Sequence, residues 1–463
     1  MKNLINDYKN IFFLGIKGVA MANLAVILKK IGKNVTGYDT DEEFITDRVL
    51  KEHNIKWSSN LILPKNTDLF IYSAAHGGRN HKLYQLAEER HIKILSQPEL
   101  INLIMSPFST KIAICGCHGK TTTTALTAYA LKKIVGEVSY LVGAPFFNNF
   151  VGGDFSKKSK YFVVEADEYG VNPPFDKRIK FSFLSPDWII CTNIDYDHPD
   201  VYKNLKEVEE AFFSFFDHRQ LILNIDNLSI KKFLPTQRAK KVITYGLSKT
   251  ADYQIIDWSI NKRGSFFKIN KLGNFNISLY GVHNILNASA VIILLVNLGF
   301  SVEKIKKAIT NFKGAKRRFE LVYQKDFILF DDYAHHPKEI EAVLNTVKEI
   351  FPNQRIIVIF QPHTFSRTKS LLNDFIKALN IADKIYLLPI FPSARENPSD
   401  FDITSQDLVK LNPKKMDYFL KEEKLLMALA GEIKNNDIIL TLGAGDVYKI
   451  GPKLIALNKN TNL

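Results

Sequence analysis

Residues 111–124 read Lys111-Ile-Ala-Ile-Cys-Gly-Cys-His-Gly-Lys-Thr-Thr-Thr-Thr124, and this stretch decides the fold of the chain. An apolar strand from Ile112 to Cys115 runs into a loop with two glycines, and a helix-compatible segment follows from Ala125 to Lys133. A strand, a glycine loop and a helix in this order surround a phosphate chain with backbone N–H groups. The sequence therefore predicts an α/β domain built around a phosphate loop.

The loop supplies the groups that a bound nucleoside triphosphate needs. Lys120 is expected to reach the outer phosphates, and the Thr121 hydroxyl is expected to ligate Mg²⁺. The usual motif has a further glycine where Ile114 stands, so this loop is a shortened variant. We expect ATP and Mg²⁺ as ligands. The predicted loop contacts are Gly116, Cys117, His118, Gly119, Lys120, Thr121 and Thr122.

The composition is typical of a globular protein without a membrane anchor. The chain has 463 residues, of which 46% are hydrophobic and 24% charged, and its length predicts roughly two to four domains. Its longest apolar run, residues 290–298, is shorter than the roughly 20 residues of a membrane span. The start of the chain lacks an apolar signal region, and three cysteines do not make a disulfide framework. We therefore expect a cytoplasmic protein that does not bind a membrane.

The net charge of +14 suits either a nucleic acid or an anionic small substrate. The sequence has neither a block of basic residues nor a basic stripe interleaved with aromatic residues. We therefore expect no nucleic-acid partner.

The N-terminal segment opens like a dinucleotide-binding unit. A buried strand over residues 11–14 is followed by a glycine loop and a helix, and an acid, Asp39, ends the next strand. Lys17 stands where the middle glycine of the fingerprint is expected, between Gly15 and Gly18. The pattern predicts a phosphate-bearing ligand at this helix N-terminus. A dinucleotide-dependent oxidoreductase is a remote alternative, because nothing else in the sequence supplies redox chemistry.

Two strands after the phosphate loop end in polar residues. The strand over residues 161–164 runs into Glu165, and the strand over residues 188–192 runs into a segment that contains Asn193 and His198. Sites in parallel sheets gather at the carboxyl ends of strands, and a carboxylate beside the phosphate loop suits Mg²⁺. Glu165 is therefore a candidate metal ligand, and His198 is a candidate functional residue.

A later helix begins with polar side chains. His283, Asn284 and Asn287 share one face near its start. Amides at this place read a base edge or a ribose, or they cap the helix, and the spacing leaves both interpretations open.

The C-terminal third predicts a second Rossmann-like domain. Four strands alternate with helices, and each strand ends in a polar cluster, which describes a parallel sheet with a site along one edge. The fold class is therefore α/β with three domains, in which a central phosphate-loop domain lies between two Rossmann-like domains. Hydrolysis, phosphoryl transfer and ATP-driven ligation all remain open on spacing alone. The four strands span residues 328–330, 355–360, 384–388 and 437–442, and their clusters include Asp332, Tyr333, His335, His363, Arg367, Arg395 and Asp446.

Five motifs across almost the whole chain resemble the Mur ligase family. They occur in the family's order. The resemblance implies a UDP-sugar-binding domain over residues 1–107, an ATP-binding domain over 108–314 and an amino-acid-binding domain over 315–463. The motifs are Gly116-Cys-His-Gly-Lys-Thr-Thr-Thr123, Glu165-Ala-Asp-Glu168, Thr192-Asn-Ile-Asp-Tyr-Asp-His198, Gly281-Val-His-Asn-Ile-Leu-Asn287 and Asp331-Asp-Tyr-Ala-His-His-Pro337.

The resemblance also implies a reaction. The carboxylate of UDP-N-acetylmuramate attacks the γ-phosphate of ATP, and the amine of L-alanine then displaces phosphate from the acyl phosphate, in peptidoglycan precursor synthesis. Lys120, Glu165, His198, His335 and Arg367 are the implied catalytic residues. The implied metal ligands are Thr121, Glu165 and His198, the latter for a second Mg²⁺. Further implied nucleotide contacts are His283, Asn284, Asn287, Arg318 and Asp332. The implied substrate contacts are Gly15, Gly18, Asp39, Ser73, Asn193, Tyr333, His335, His363 and Arg367.

Two departures from the family bear on the amine substrate. Many members have arginine directly after the histidine that matches His363, whereas this chain has Thr364. Residues 175–181 are similar to members that attach the tripeptide L-Ala-γ-D-Glu-meso-diaminopimelate to the same sugar. The tripeptide is therefore the alternative amine. We expect a monomer or a weak homodimer.

Overall fold

The computed structural model describes residues 4–236, 239–392 and 396–461. The chain forms two compact units, the first from Met1–Ser259, Gly264–Leu279 and His283–Ala315 and the second from Ile260–Arg263, Tyr280–Val282 and Lys316–Leu463. Arg395, which the sequence placed after a strand of the third domain, lies outside the described residues. No helix in the described ranges is long and apolar enough to cross a membrane.

The predicted strands and helices occur within a few residues of their expected bounds. The strands are β1 (Asn10–Leu14), β2 (Asn34–Tyr38), β3 (Lys56–Ser58), β4 (Leu69–Tyr72), β5 (Lys93–Ser96), β6 (Thr110–Cys115), β7 (Ser139–Phe147), β8 (Phe150–Asp154), β9 (Tyr161–Glu165), β10 (Gly170–Asn172), β11 (Asp176–Ile179), β12 (Trp188–Cys191), β13 (Gln220–Asn224), β14 (Lys241–Gly246), β15 (Tyr253–Asn261), β16 (Gly264–Ile269), β17 (Gly273–Ile277), β18 (Glu320–Gln324), β19 (Ile328–Asp332), β20 (Ile356–Phe360), β21 (Lys384–Leu387), β22 (Met416–Tyr418) and β23 (Ile438–Leu442).

The α-helices are α1 (Val19–Ile31), α2 (Thr46–Glu52), α3 (Lys82–Glu89), α4 (Gln97–Met105), α5 (Lys120–Val135), α6 (Leu205–Phe216), α7 (Leu228–Phe233), α8 (Val282–Asn297), α9 (Val302–Ile309), α10 (Pro337–Ile350), α11 (Phe365–Ser370), α12 (Leu372–Leu379), α13 (Ser405–Leu411), α14 (Glu422–Glu432) and α15 (Ile450–Thr461).

The first unit contains two large sheets with helices against them and a small antiparallel sheet of β10 and β11. The N-terminal sheet has the order β3-β2-β1-β4-β5, and all of its pairs are parallel. The central sheet has ten strands in the order β17-β16-β15-β14-β13-β12-β6-β9-β7-β8. Its β6 lies between β12 and β9 and is parallel to both. The segments that follow β6, β9 and β12 therefore leave the sheet at the same edge.

Helix α1 joins the two sheets of the first unit. The Asn23 side chain is fully buried, and its amide Nδ2 donates hydrogen bonds of 2.9 Å to the carbonyls of Val142 and Ala144 in β7. A Cβ on Gly152 or Gly153 of β8 would collide with Asn23, so only glycine permits this close approach. One apolar core includes residues from both sheets. The predicted boundary at residues 107 and 108 stays a prediction.

The second unit is built on a six-stranded sheet in the order β18-β19-β23-β20-β21-β22. Five of its strands, from β19 to β22 in this order, are parallel to one another, and the edge strand β18 is antiparallel to β19. The central strands are apolar and buried, as expected for a sheet covered by helices on both faces. The predicted fold class, α/β with mostly parallel sheets, is confirmed.

Candidate active site

The phosphate loop connects β6 to α5 over residues 116–119. Gly116 and Gly119 have φ angles of +129° and +82°, which favour glycine. Helix α5 begins at Lys120, five residues earlier than the helix-compatible run in the sequence. The Thr123 and Thr124 hydroxyls donate to the carbonyls of Gly119 and Lys120, each four residues earlier in the chain.

Lys120 lies at the centre of the site. Its Nζ donates to the carbonyl of Gly116 at 2.7 Å and lies 2.8 and 2.7 Å from the two carboxylate oxygens of Glu168. Burial disfavours the charged ammonium, but the carboxylates of Glu168, Asp167 and Glu165 outweigh burial and raise the pKa of Lys120. The lysine is therefore a fixed positive charge at the start of α5, where a phosphate is expected.

Glu165 lies beside the threonine that was predicted to bind Mg²⁺. The Thr121 hydroxyl donates to Glu165 Oε1 at 3.1 Å, and the backbone N–H of Gly143 donates to Glu165 Oε2 at 2.9 Å. A Cβ on Gly143 would collide with the carboxylate. The oxygens of Thr121 and Glu165 are hard ligands of the kind that Mg²⁺ prefers.

A second group of ligand atoms lies next to this pair. Asp167, Glu168 and His198 each offer an atom within 4.8 Å of the others. Burial alone would raise the pKa of Asp167, but Lys180, 2.8 Å away, and Lys120 outweigh burial and hold that pKa well below its ordinary value. Two carboxylates and an imidazole suit a divalent cation. The residues therefore fit a metal, with Glu168 and Asp167 added to the predicted His198.

Asn193 holds the phosphate loop in place. Its Oδ1 accepts from the backbone N–H of His118 at 2.9 Å, and its Nδ2 donates to the carbonyl of His118 at 2.9 Å. Cys117 donates its thiol to the carbonyl of Asp195. These contacts tie the loop to the segment after β12. The predicted role of Asn193 as a substrate contact stays a prediction.

The helix α8 brings two asparagines to the site. Asn284 and Asn287 are buried, and Asn287 Nδ2 donates to Asn284 Oδ1 at 3.2 Å. Asn284 Nδ2 lies 3.1 Å from the imidazole of His283. A Cβ on Gly119 would lie 2.6 Å from Asn287 Oδ1, so the Asn287 amide lies directly against the phosphate loop. This position favours a contact of Asn287 with the nucleotide over the alternative that it caps α8.

The N-terminal glycine loop is closed by Asp39. Its Oδ2 accepts from the backbone N–H of Lys17 at 2.7 Å, and its Oδ1 lies 3.0 Å from Nε2 of His76. Gly15 has a φ of +77°, and a Cβ there would lie 3.6 Å from Ser73 Oγ. The predicted residues Gly15, Asp39 and Ser73 therefore belong to one loop cluster, and His76 is an addition that the sequence did not signal.

Lys17 replaces the expected glycine for a structural reason. The lysine is buried, and its Nζ donates to the carbonyl of Glu42 at 2.7 Å and lies 3.4 Å from the Asp47 carboxylate. The ammonium also lies 5.5 and 5.2 Å from the ring centroids of Phe44 and Trp57. These contacts fix the segment after β2 against the loop.

In the second unit, Asp332 binds backbone groups. It is buried, and its carboxylate accepts from the N–H of Phe319 at 2.6 Å and of Ala334 at 2.7 Å. Burial raises the pKa of Asp332 to about 6. The guanidinium of Arg318 lies 4.9 Å from the ring centroid of Tyr333. Asp332 thus shapes the turn that carries these residues, and the predicted nucleotide contacts of Asp332 and Arg318 stay predictions.

Arg317 is a buried residue that no sequence motif singled out. Its guanidinium donates to the carbonyls of Gly443 at 2.6 Å and Gly445 at 3.0 Å and to the Asp331 carboxylate at 3.2 Å. The aromatic ring of Tyr448 lies 4.5 Å away. Arg317 therefore fastens the segment after β23 to the end of β19. An arginine beside Arg318 was the available signal, but the sequence does not show which of the two is buried.

Three predicted amine-site residues meet at the carboxyl ends of β19 and β20. The ring centroids of His335 and His363 are 5.6 Å apart, and Arg367 Nη1 lies 3.5 Å from His363 Nδ1. Arg367 is buried on α11, and Thr364 before it has a φ of +70°. A β-branched residue at such an angle is strained, which marks this turn as a candidate functional segment.

Comparison with known families matches three domain models along the chain. The Mur ligase family catalytic domain matches residues 10–109, the Mur ligase middle domain matches residues 114–295, and the Mur ligase glutamate ligase domain matches residues 317–445.

Individual relatives cover nearly all of the chain. It is 36% identical to UDP-N-acetylmuramate–L-alanine ligase of Desulfitobacterium hafniense, over 96% of this chain and 99% of that protein. It is 34% identical to the enzyme of the same name from Borreliella burgdorferi, over 97% and 99%. The crystal structure of UDP-N-acetylmuramate-alanine ligase from Thermotoga maritima matches with a TM-score of 0.80 at 25% identity, over 98% and 99%. A murein peptide ligase from Psychrobacter arcticus shares the fold with a TM-score of 0.75 at 23% identity, over 98% and 99%.

Proposed function

The chain belongs to the Mur ligase family, and from this membership we propose that it joins L-alanine to UDP-N-acetylmuramate at the expense of ATP. The observation that carries the proposal is the 36% identity to a UDP-N-acetylmuramate–L-alanine ligase over 96% of this chain. The product is a precursor of peptidoglycan. The arrangement around Lys120 supports the ATP-dependent half of the reaction, and the cluster around His335 supports the amine half.

In the first step, a carboxylate oxygen of UDP-N-acetylmuramate attacks the γ-phosphorus of ATP. The bond to the β-phosphate oxygen breaks, and ADP leaves. Lys120 binds the transferred phosphoryl group, because its ammonium is fixed at the N-terminus of α5, where backbone N–H groups also point to the phosphates. The Asn287 amide, which lies against Gly119, binds on the nucleotide side.

Two groups of side chains would hold Mg²⁺. Thr121 and Glu165 form one pair, and Asp167, Glu168 and His198 form the other. Bound Mg²⁺ would neutralise negative charge on the phosphates during transfer. The backbone N–H of Gly143 orients the Glu165 carboxylate for this task.

In the second step, the amine nitrogen of L-alanine attacks the acyl carbon. The bond between that carbon and the phosphate oxygen breaks, inorganic phosphate leaves with the electron pair, and the nitrogen loses a proton. Arg367 is the proposed partner of the alanine carboxylate, since a guanidinium binds a carboxylate through two hydrogen bonds. His335 and His363 would flank the substrate.

L-Alanine is expected to stimulate phosphate release far more strongly than L-Ala-γ-D-Glu-meso-diaminopimelate does. Free alanine needs a carboxylate partner and a small recess for one methyl group, whereas a tripeptide needs a long groove with contacts to distant carboxylates. The measurement is phosphate release with UDP-N-acetylmuramate, ATP and Mg²⁺ at several concentrations of each amine. Faster turnover with the tripeptide would replace the proposal with the tripeptide-ligase alternative.

Arg367→Lys is expected to raise the KM for L-alanine by at least about tenfold, because lysine does not reproduce a bidentate guanidinium contact. The KM for ATP should change little. The matched control is Arg355→Lys, at the opposite end of β20, where Arg355 lies 2.7 Å from Asp437. An equal rise of the alanine KM in both variants would assign Arg367 a structural role.

A further inference from the structure

The Lys120 ammonium has an internal anionic partner at the place where a nucleotide phosphate is expected. Both carboxylate oxygens of Glu168 lie within 2.8 Å of Nζ, and Glu168 is only 2% exposed. Nζ also donates to the carbonyls of Gly116 and Cys117 in its own loop. A phosphate oxygen that binds Lys120 must therefore compete with Glu168.

Glu168 is held in position by its backbone. The Tyr202 hydroxyl donates to the carbonyl of Glu168 at 2.7 Å. The next residue, Tyr169, donates its hydroxyl to Asp200 at 2.6 Å and packs its ring 4.8 Å from that of His198. The segment that carries Glu168 is thus fastened to residues 198–202. We infer that the carboxylate stays near Lys120 when a nucleotide enters.

Loss of the lysine would leave Glu168 as a buried carboxylate. An uncompensated buried charge is strongly unfavourable, so a phosphate that takes Lys120 must also overcome that cost. The remaining neighbours offer a replacement, because Glu168, Asp167 and His198 present ligand atoms within 4.8 Å of one another. A divalent cation at this group would neutralise Glu168.

We propose that Glu168 is an internal competitor for Lys120, and that a divalent cation bound by Asp167, Glu168 and His198 releases the lysine to the nucleotide. Tight nucleotide binding is then conditional on the metal. This inference rests on the proposed nucleotide site and is independent of which amine is ligated. Because coupling between two ligands is reciprocal, the nucleotide also strengthens metal binding.

The test is calorimetric titration with β,γ-imido-ATP, once in EDTA and once in excess MgCl₂. In EDTA, Glu168→Gln should bind the analogue at least about tenfold more tightly than the wild type, since the competing charge is gone. In MgCl₂ the difference should be much smaller. The affinity in MgCl₂ divided by the affinity in EDTA measures the coupling between metal and nucleotide. This ratio should therefore be smaller in Glu168→Gln than in the wild type.

Asp167→Asn is the matched control. It also removes one carboxylate from the group, but Asp167 pairs with Lys180 at 2.8 Å, so it tests the general effect of a lost negative charge. Its affinity in EDTA should rise much less than that of Glu168→Gln. Glu168→Asp keeps the negative charge on a shorter side chain, which places it farther from Lys120. Its affinity for the analogue in EDTA should lie between those of the wild type and Glu168→Gln. Glu168→Asp also serves as the test variant if Glu168→Gln does not fold.

Three results would overturn the inference. One is an unchanged affinity of Glu168→Gln and Glu168→Asp in EDTA, and another is an equal gain in Asp167→Asn. The third is wild-type binding that does not depend on MgCl₂. If the wild type bound no analogue under either condition, the proposed function would fail as well, so the two failures are distinguishable.

Discussion

Lys120→Ala is expected to lower ligation turnover at least about a hundredfold, which is the usual cost of removing one preorganised charge-stabilising group. The ammonium is fixed beside the phosphate loop by Gly116 and Glu168, and in the proposed reaction it meets charge that develops on the transferred phosphoryl group. Phosphate release under saturating substrates measures the effect. A variant that retains more than about a tenth of wild-type turnover would refute the phosphate-loop assignment.

The same substitution leaves the Glu168 carboxylate without its lysine. The control must therefore distinguish loss of the catalytic ammonium from destabilisation of the fold by the unpaired carboxylate. Lys120→Ala/Glu168→Gln removes both charges of this pair, so neither is left uncompensated. Both variants are expected to keep a cooperative thermal transition. The double variant should be as inactive as the single one. Recovery of turnover in the double variant would show that the unpaired carboxylate, and not the missing ammonium, caused the loss.

Glu165→Gln and His198→Ala are each expected to raise the Mg²⁺ concentration for half-maximal turnover at least about tenfold. Glu165 lies 3.1 Å from the Thr121 hydroxyl, and His198 shares a group of ligand atoms with Asp167 and Glu168. Loss of a hard anionic ligand or an imidazole weakens the site for a divalent cation. At saturating MgCl₂ nucleotide binding should persist in both variants, since Lys120 is unchanged and excess cation offsets the weaker metal site. Turnover at a series of MgCl₂ concentrations measures the shift.

Asp154→Asn provides the control for this second experiment. Asp154 is bound by Lys30 and Lys132 and belongs to neither proposed metal group. Its Mg²⁺ requirement should match that of the wild type. An unchanged Mg²⁺ requirement in Glu165→Gln and His198→Ala would assign both residues a structural role.

Much of the fold was predictable because it rests on local pattern. The runs 112–115, 161–164 and 188–192 are apolar and end at polar residues, and they form the neighbouring strands β6, β9 and β12. Parallel strands buried on both faces leave this signature in a single sequence. The phosphate loop was predictable for a related reason, since its glycines are required by backbone geometry and Lys120 stands at a fixed spacing from them.

The remaining features depend on contacts between distant segments. Lys17 looked like a defect in a glycine fingerprint, yet it is buried against Asp47 and Trp57. Glu168 was visible only as part of a motif, because its pairing with Lys120 spans 48 positions. Arg317 and Arg318 are equivalent in sequence, and only the packing of the segment after β23 separates them. The spacing of residues along the sequence does not show which side chain will be buried against a distant segment.

The contact between α1 and the β7–β8 hairpin limits which chimeras of related Mur ligases can fold. The Asn23 side chain donates two hydrogen bonds to β7, and Gly152 and Gly153 lie against its side chain and its backbone, respectively. A chimera that takes only residues 1–107 from a relative would pair a foreign helix with this hairpin. Unless the foreign helix carried asparagine there, two buried carbonyls would lose their donors. In the reverse chimera, a hairpin without the two glycines would collide with α1. Chimeras of two relatives should therefore fold when α1 and the β7–β8 hairpin come from the same parent. The two elements act as one unit although Asn23 and Val142 are 119 positions apart in the sequence.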